Sequence, residues 1–190
     1  MTLSSNLFRI ILSISFIFIS FSLIAEPTLE EVVVSARKVD ESVQDVPIAM
    51  SVFTSGDIED AGIERPEDFI ALTPNVVMAN TVNVGDTLVT IRGLTSTRDA
   101  ESNFAFVVDG VLQTNPNAFN RELLDIAQIE VLKGPQGALY GRNATSGAIL
   151  ITTKAPSEES ESTGVIGMGV NNSSKVQFVN SSMIGDNTYT

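Results

Sequence analysis

The sequence contains no cysteine, no histidine and no tryptophan among its 190 residues. The missing cysteines exclude disulfides, thiolate nucleophiles and Cys-ligated zinc or iron–sulfur sites. The missing histidines exclude an imidazole base and imidazole metal ligands, on which most hydrolase triads and transition-metal enzymes depend. Basic residues are also few, with 11 Lys and Arg against 23 Asp and Glu. Such an acidic chain lacks the basic surface that nucleic-acid binding needs.

The polar residues that are present do not form an enzymatic constellation. Adjacent acids occur at 30–31, 67–68 and 158–159, whereas a glycosidase needs two carboxylates across a cleft. The glycine-rich segment 134–147 lacks the Gly-Lys-Ser/Thr ending of a phosphate-binding loop, which favours a turn with closely packed backbone. We therefore expect no catalytic residue, no metal site, no cofactor and no enzyme activity.

The first 25 residues are typical of a secretory signal peptide. Arg9 precedes an apolar run at 10–24, and Ala25 is followed by a polar, acidic stretch. The run is shorter than the roughly 20 residues that a transmembrane helix needs. An uncleaved anchor is the alternative, which the processing pattern at Ala25 disfavours. We predict an exported protein of a bacterial envelope.

A short β-branched run at 32–34 follows two acids within residues 26–46, which show no helical periodicity. A lone strand with unpaired backbone on both edges pairs readily with a strand of another protein. The alternative, on these residues alone, is the first strand of the chain's own sheet. The local pattern leaves both interpretations open.

Residues 47–155 predict a unit that mixes strands with short helices. Strands are predicted at 47–53, 88–91, 104–108, 111–113, 126–132 and 148–153, and short helices at 56–61, 66–73 and from Asn115 onward. Asp109-Gly110 is a strong hairpin signal, and residues 94–103 indicate a polar loop. Strands separated by short helices indicate a sheet covered by helices, which is an α+β fold.

The chain changes character after a polar linker at 156–162. Residues 163–190 alternate apolar and polar side chains, with turn residues at a spacing of about ten, which is weakly typical of outer-membrane barrel strands. An ordinary soluble hairpin is the alternative for this segment taken alone.

Several motifs in one order carry more information than any of them separately. They are LEEVVVSARK at 29–38, DVPIAMSVFT at 45–54, TPNV at 73–76, TIRG at 90–93, VVDGV at 107–111 and IEVLKGPQGALYGRNATSGAILITTKAP at 129–156. In this order they closely resemble the N-terminal part of TonB-dependent outer-membrane receptors. The resemblance implies a small plug with a mixed sheet and short helices, which closes a large transmembrane β-barrel.

The resemblance also implies a short box that binds TonB, the periplasmic energy-coupling protein. The matching residues are Glu31, Val32, Val33, Val34 and Ser35. This match favours pairing with a partner strand, in which main-chain hydrogen bonds supply the affinity. Pulling on the strand would then deform or displace the plug and open a path.

Two further sets of residues follow from the resemblance. Basic residues of the IRG and RGP motifs help to seat the plug against barrel glutamates, and Arg92 and Lys133 match these positions. Lys133 keeps the charge but lacks the bidentate fork of the commoner arginine. Outward-facing plug loops contact the substrate, and the matching positions are Asn80, Thr81, Thr95, Ser96 and Asn115.

We therefore predict an α+β plug followed by the first strands of a transmembrane barrel. A barrel of about 22 strands, each of about 10 residues, needs several hundred residues, so this chain does not complete it. The predicted segments are a signal peptide at 1–25, the box and a flexible tail at 26–46, the plug at 47–155, the linker at 156–162 and the first barrel strands at 163–190. A fragment, a truncated gene product and a plug without its own barrel remain alternatives.

The predicted function is that of a plug in the bacterial outer membrane, facing the periplasm. It would gate energy-coupled uptake of a scarce nutrient such as a ferric siderophore, with TonB and its own barrel as partners. The alternative function is a stand-alone soluble periplasmic binding module without transport activity. The sequence does not name the substrate.

Overall fold

The computed structural model describes residues 32–35, 39, 41–81, 87–97, 101–155, 161–169, 174–184 and 187–189. The predicted signal peptide at 1–25, Glu31 and most of the predicted linker lie outside the described residues. Within the described ranges, none of the helices combines the length and the apolar character that a membrane span requires.

The central element of the described residues is a five-stranded mixed sheet. Its strands, in sheet order, are β3 (Met50–Thr54), β9 (Ile126–Lys133), β10 (Gly147–Thr153), β7 (Phe104–Val108) and β8 (Val111–Gln113). β10 runs parallel to β7, and the other neighbours run antiparallel. β7 and β8 have the predicted hairpin bounds, because Asp109 and Gly110 adopt the positive φ values, 48° and 78°, that a tight turn requires.

Two smaller sheets accompany this central sheet. The strands β4 (Val76–Asn80), β5 (Thr87–Ile91) and β6 (Leu94–Thr95) form an antiparallel sheet. The strand β1 (Val33–Val34) pairs with β2 (Glu41–Ser42) in a separate two-stranded ladder. β4 was not predicted, and β6 lies in the predicted loop. Both strands form by pairing with β5, a tertiary contact that local periodicity does not report.

Three short helices lie within the described residues: α1 (Ser55–Asp60), α2 (Pro66–Leu72) and α3 (Gly137–Tyr140). Thr54 Oγ1 accepts a hydrogen bond from the Asp57 N–H at 3.3 Å, and Asp57 Oδ2 accepts one from the Thr54 N–H at 2.9 Å. This reciprocal cap begins α1. The helix predicted from Asn115 is only a 3₁₀ turn at Pro116–Ala118, and α3 was not predicted.

The larger core lies on one face of the central sheet. Phe119 makes edge-to-face contacts with Phe69 of α2 and with Phe104 and Phe106 of β7, at ring-centroid distances of 6.3, 5.2 and 5.1 Å. Such aromatic pairs stabilise beyond the apolar area they bury. A smaller cluster covers the opposite face and consists of Ala105, Val107, Leu132, Ala144, Ala148 and Leu150.

The last described strands form a three-stranded antiparallel sheet. They are β11 (Glu161–Met168), β12 (Ser174–Ile184) and β13 (Asn187–Tyr189). Ile166 pairs with Val176 across the ladder, and both are 78% exposed. Lys175 and Gln177 alternate with these apolar residues, so the two faces of the hairpin differ in polarity. The predicted fold class, a small α+β plug followed by barrel-type strands, is confirmed.

Candidate functional site

The predicted coupling strand β1 lies against the plug. β1 pairs antiparallel with β2, and the adjacent Val43 N–H donates to the Val32 carbonyl at 3.0 Å. Val34 is 1% exposed, whereas Val33 is 49% exposed. One edge of the strand is therefore occupied by β2, and the side chain of its last residue, Val34, is buried. β1 is not a strand of the five-stranded sheet.

Two side chains of β9 contact the other edge of β1. Glu130 Oε1 accepts hydrogen bonds from the Ser35 N–H at 3.0 Å and from Ser35 Oγ at 3.3 Å. Gln128 Nε2 donates to the Val33 carbonyl at 3.0 Å and to Glu130 Oε1 at 3.1 Å. One carboxylate oxygen therefore receives three donors. We call Gln128 and Glu130 the strand anchor.

Glu130 is 2% exposed, although an acid is rarely buried without compensating donors. The charge of this buried acid also affects the phenol group of Tyr140 on α3. Burial, together with the negative charge of Glu130, raises the pKa of Tyr140 to about 12. Ser35 and Tyr140 also line a cavity of about 480 Å³ over the smaller apolar cluster of the sheet, beside Val107 and Leu150. The coupling strand therefore borders a partly apolar cavity on this face.

Sequence reasoning singled out neither residue of the strand anchor. The available signal was an acid inside an otherwise apolar strand, since Glu130 follows Ile129 and precedes Val131 and Leu132. Side chains alternate between the faces of a strand, so Gln128 and Glu130 share one face. Ser35, which binds Glu130, lies 95 residues earlier in the chain. Local sequence patterns do not reveal a contact over this separation.

The two predicted lock residues lie at one corner of the plug. Arg92 Nη1 is 3.0 Å from the position that a Cβ on Gly134 would occupy. Gly134 has a φ of 115°, so the backbone conformation favours glycine there. Lys133 directly precedes it, and its Nζ donates to Ser51 Oγ at 3.1 Å. The IRG and KGP motifs thus meet, while the pairing with barrel glutamates stays a prediction.

The predicted substrate-facing residues fall into two places. Asn80 and Thr81 lie at the end of β4, and Thr95 lies in β6 of the same small sheet. Thr95 Oγ1 is 2.9 Å from Thr90 Oγ1, which joins β6 to β5. Asn115 lies elsewhere, before the 3₁₀ turn, where its side chain accepts from the Asn117 N–H at 3.0 Å.

Ser96 differs from these residues because it is 7% exposed. Its Oγ donates to the Val89 carbonyl at 3.1 Å and to Asn103 Oδ1 at 2.9 Å. Ser146, just before β10, also donates to Asn103 Oδ1, at 3.1 Å. Asn103, which the sequence did not single out, therefore connects the loop after β6 to the central sheet. The buried hydrogen bonds of Ser96 therefore fix the conformation of the loop after β6.

A second cavity, of about 370 Å³, lies between the plug helices and the first hairpin of barrel type. Lys175 of β12 forms an ion pair with Glu64, which precedes α2, at 3.1 Å. Lys154 pairs with Glu59 of α1 at 3.5 Å near the same cavity. The Lys175–Glu64 pair connects the plug to the hairpin, whereas the Lys154–Glu59 pair lies within the plug. Ion pairs that remain accessible to solvent contribute little stability.

A small mixed sheet with short helices, followed by barrel-type strands, defines a plug-bearing class of receptor. Residues 42–148 match the family described as "TonB-dependent Receptor Plug Domain". The chain belongs to this family, which confirms the resemblance found in the ordered motifs.

Curated relatives are receptors and transporters. The chain is 30% identical over 132 residues to the pesticin receptor of Yersinia enterocolitica, covering 69% of this chain and 19% of that receptor. It is 27% identical over 167 residues to the vitamin B12 transporter BtuB of Vibrio vulnificus, covering 85% of this chain and 26% of that transporter. The chain therefore spans about a fifth to a quarter of the length of these relatives.

Solved structures show the same fold. The ferric yersiniabactin uptake receptor FyuA of Yersinia pestis superposes with a TM-score of 0.65 at 29% identity, covering 73% of this chain and 22% of that chain. The ferripyoverdine receptor of the outer membrane of Pseudomonas aeruginosa superposes with a TM-score of 0.69 at 18% identity, covering 82% of this chain and 20% of that chain. At that identity the second likeness concerns the fold alone. These relatives are transport receptors and not enzymes.

Proposed function

We propose that this chain is the plug region of an outer-membrane receptor and gates the energy-coupled uptake of a scarce nutrient such as a ferric siderophore. Membership in the plug family supports the gating role. The nutrient class is supported by the relatives, which include the ferric yersiniabactin uptake receptor and the catecholate siderophore receptor Fiu of Escherichia coli. The proposed location is the outer membrane, with the plug facing the periplasm after export by the signal peptide.

The observation that carries this function is a short strand ahead of the plug that belongs to no large sheet. β1 has two residues and pairs only with β2 among the described strands. Detaching it leaves the ladder of the central sheet intact. Residues 31–35 are therefore the proposed contact for TonB, which would add a strand through main-chain hydrogen bonds.

The order of the sheet suggests how pulling on that strand would open the plug. The chain continues from β2 to β3, and β3 is an edge strand that pairs only with β9. An edge strand leaves a sheet without breaking the pairs at its centre. Once β1 has detached from β2 and β9, force on residues 31–35 would therefore reach β3 first among the strands of the central sheet, while β9 and β10 remain paired.

The remaining site residues have separate proposed roles. Arg92 and Lys133 seat the plug against acidic barrel residues, with Lys133 also positioned by Ser51. Asn80, Thr81, Thr95 and Asn115 face the substrate. Ser96 supports that surface by shaping the loop after β6, because its side chain is buried and bonded to Asn103.

The test is a titration of the full chain with the periplasmic domain of TonB from the same bacterium. Val33→Pro removes one backbone donor and should weaken binding at least tenfold. Val33 is 49% exposed, so this change spares the apolar core. Val39, which is 59% exposed and lies outside the described strands, provides the matched control Val39→Pro.

Unchanged affinity in Val33→Pro would contradict the assignment of residues 31–35. Fractionation of the native protein tests the wider proposal, since a heat-modifiable outer-membrane band of larger mass than this chain is expected. A monomer in the periplasm would instead favour the stand-alone binding module.

A further inference from the structure

We propose that Gln128 and Glu130 are positioning residues that hold the coupling strand on the plug, so that TonB must displace this strand anchor before it pairs with the strand. The inference rests on the proposed function of residues 31–35. It concerns side chains outside that segment, whose role follows from their contacts with β1.

The first argument is that both edges of β1 are occupied. Successive residues of a strand direct their backbone groups to opposite edges. The Val32 carbonyl accepts from the Val43 N–H on the β2 edge. Val33 and Ser35 therefore face the opposite edge, where Gln128 and Glu130 bind them. A partner strand that pairs along this opposite edge has to displace the strand anchor, while β2 keeps its own edge.

The second argument concerns the chemistry of the anchor. Glu130 is a carboxylate at 2% exposure, and hydrogen bonds to a charged acceptor are stronger than bonds between neutral groups. Departure of Ser35 removes two of the donors that Glu130 receives in this buried position. Removing donors from a buried charge is unfavourable. The strand is therefore held more firmly than a two-residue ladder alone would hold it.

The third argument is the arrangement of Gln128. Its Nε2 donates to both the Val33 carbonyl and Glu130 Oε1, so it connects the coupling strand to the carboxylate. Gln128 is only partly buried, whereas its neighbour Ile129 is fully buried in the larger core. Truncation of Gln128 should therefore loosen the strand without opening the core.

These contacts predict a measurable penalty on TonB binding. Affinity for a protein whose competent state is rarely populated falls by the fraction of that state. The full chain should bind the periplasmic domain of TonB about 10- to 100-fold more weakly than a synthetic peptide of residues 29–38, which has no anchor. Gln128→Ala and Glu130→Ala should each recover much of this difference in the full chain.

Gln113→Ala is the matched control. Gln113 lies on β8, and within the described residues its side chain donates to the Val111 carbonyl of its own hairpin at 3.3 Å. Its truncation should leave TonB affinity unchanged. If the full chain binds as tightly as the peptide, or if both anchor variants bind like the control, the proposal is wrong.

Hydrogen exchange distinguishes failure of the anchor from failure of the proposed function. The Ser35 amide donates to Glu130, so Glu130→Ala should speed its exchange about tenfold or more by raising the population of the open strand. Gln128→Ala should act in the same direction and keeps the test valid if Glu130→Ala does not fold. A peptide that fails to bind TonB would overturn the coupling function. Unchanged exchange of the Ser35 amide would overturn the anchor.

Discussion

The two faces of β9 hold different parts of the molecule by different chemistry. Ile129 and Val131 are fully buried on one face, within the larger core. Gln128 and Glu130 project from the other face and bind β1 through hydrogen bonds. The apolar face depends on close packing, which tolerates little change. The polar face depends on a few exchangeable hydrogen bonds, so one strand combines a permanent contact with a releasable one.

The largest expected effect compares neighbours on these two faces. Ile129→Ala should lower the free energy of unfolding by about 2–5 kcal/mol, because it leaves a cavity beside fully packed side chains. Gln128→Ala should change it by less than about 1 kcal/mol, since the side chain is only partly buried. Urea unfolding of the two variants checks this difference. Equal losses would show that the two faces do not differ in their contribution to folding.

A somewhat smaller effect is expected at Gly147 of β10, which packs closely against the backbone of β9. A Cβ on Gly147 would overlap the Leu132 carbonyl oxygen, so the backbone must move to accept Gly147→Ala. We expect a loss of about 1–3 kcal/mol. Gly137→Ala is the control, because nothing lies within 4 Å of the corresponding Cβ and Gly137 is in α3. Thermal unfolding should separate the two variants, and similar melting temperatures would contradict the close approach.

The smallest expected effect is on the pH dependence of stability, through Tyr140 and the nearby charge of Glu130 on the polar face. The pKa of Tyr140 rises from 10.0 to about 12, first through burial and then through the charge of Glu130. The folded state thus retains the phenol proton longer than the unfolded state. The resulting stabilisation is present below pH 10 and is lost as the pH rises from 10 to 12. Tyr140→Phe should reduce this loss.

Ultraviolet titration of the phenolate tests the contribution of Glu130. Glu130→Gln removes a negative charge, so the pKa of Tyr140 should fall while remaining above 10 through burial. Tyr140→Phe identifies which part of the absorbance change belongs to this residue. An unchanged titration in Glu130→Gln would show that Glu130 does not carry its charge beside Tyr140.

Local sequence signals predicted the elements whose structure is decided within a few residues. The hairpin follows from the turn chemistry of Asp109-Gly110, and the short helix predicted at 56–61 begins at the reciprocal cap between Thr54 and Asp57, which neighbouring residues complete. β4 and β6 were missed because their pairing with β5 decides their conformation. The helix predicted from Asn115 was too long, since only the 3₁₀ turn forms there.

The candidate site also has a part that local sequence signals predicted and a part that they did not. Ordered motifs singled out residues 31–35, Arg92 and Lys133, because these positions are recognised one segment at a time. Their environments were not predictable. The approach of Arg92 to Gly134 and the bond from Lys133 to Ser51 depend on strands that meet only after the sheet has formed.

The sequence by itself determined the receptor family, the α+β plug and the position of the short β-branched strand. Only the tertiary structure decided that this strand lies against β9, with Ser35 bound to an acid 95 residues away. The physical reason is that Glu130 becomes a buried acceptor only when β9 is covered by neighbouring structure. Hydrogen bonding across such a separation depends on chain closure, which composition and periodicity do not encode.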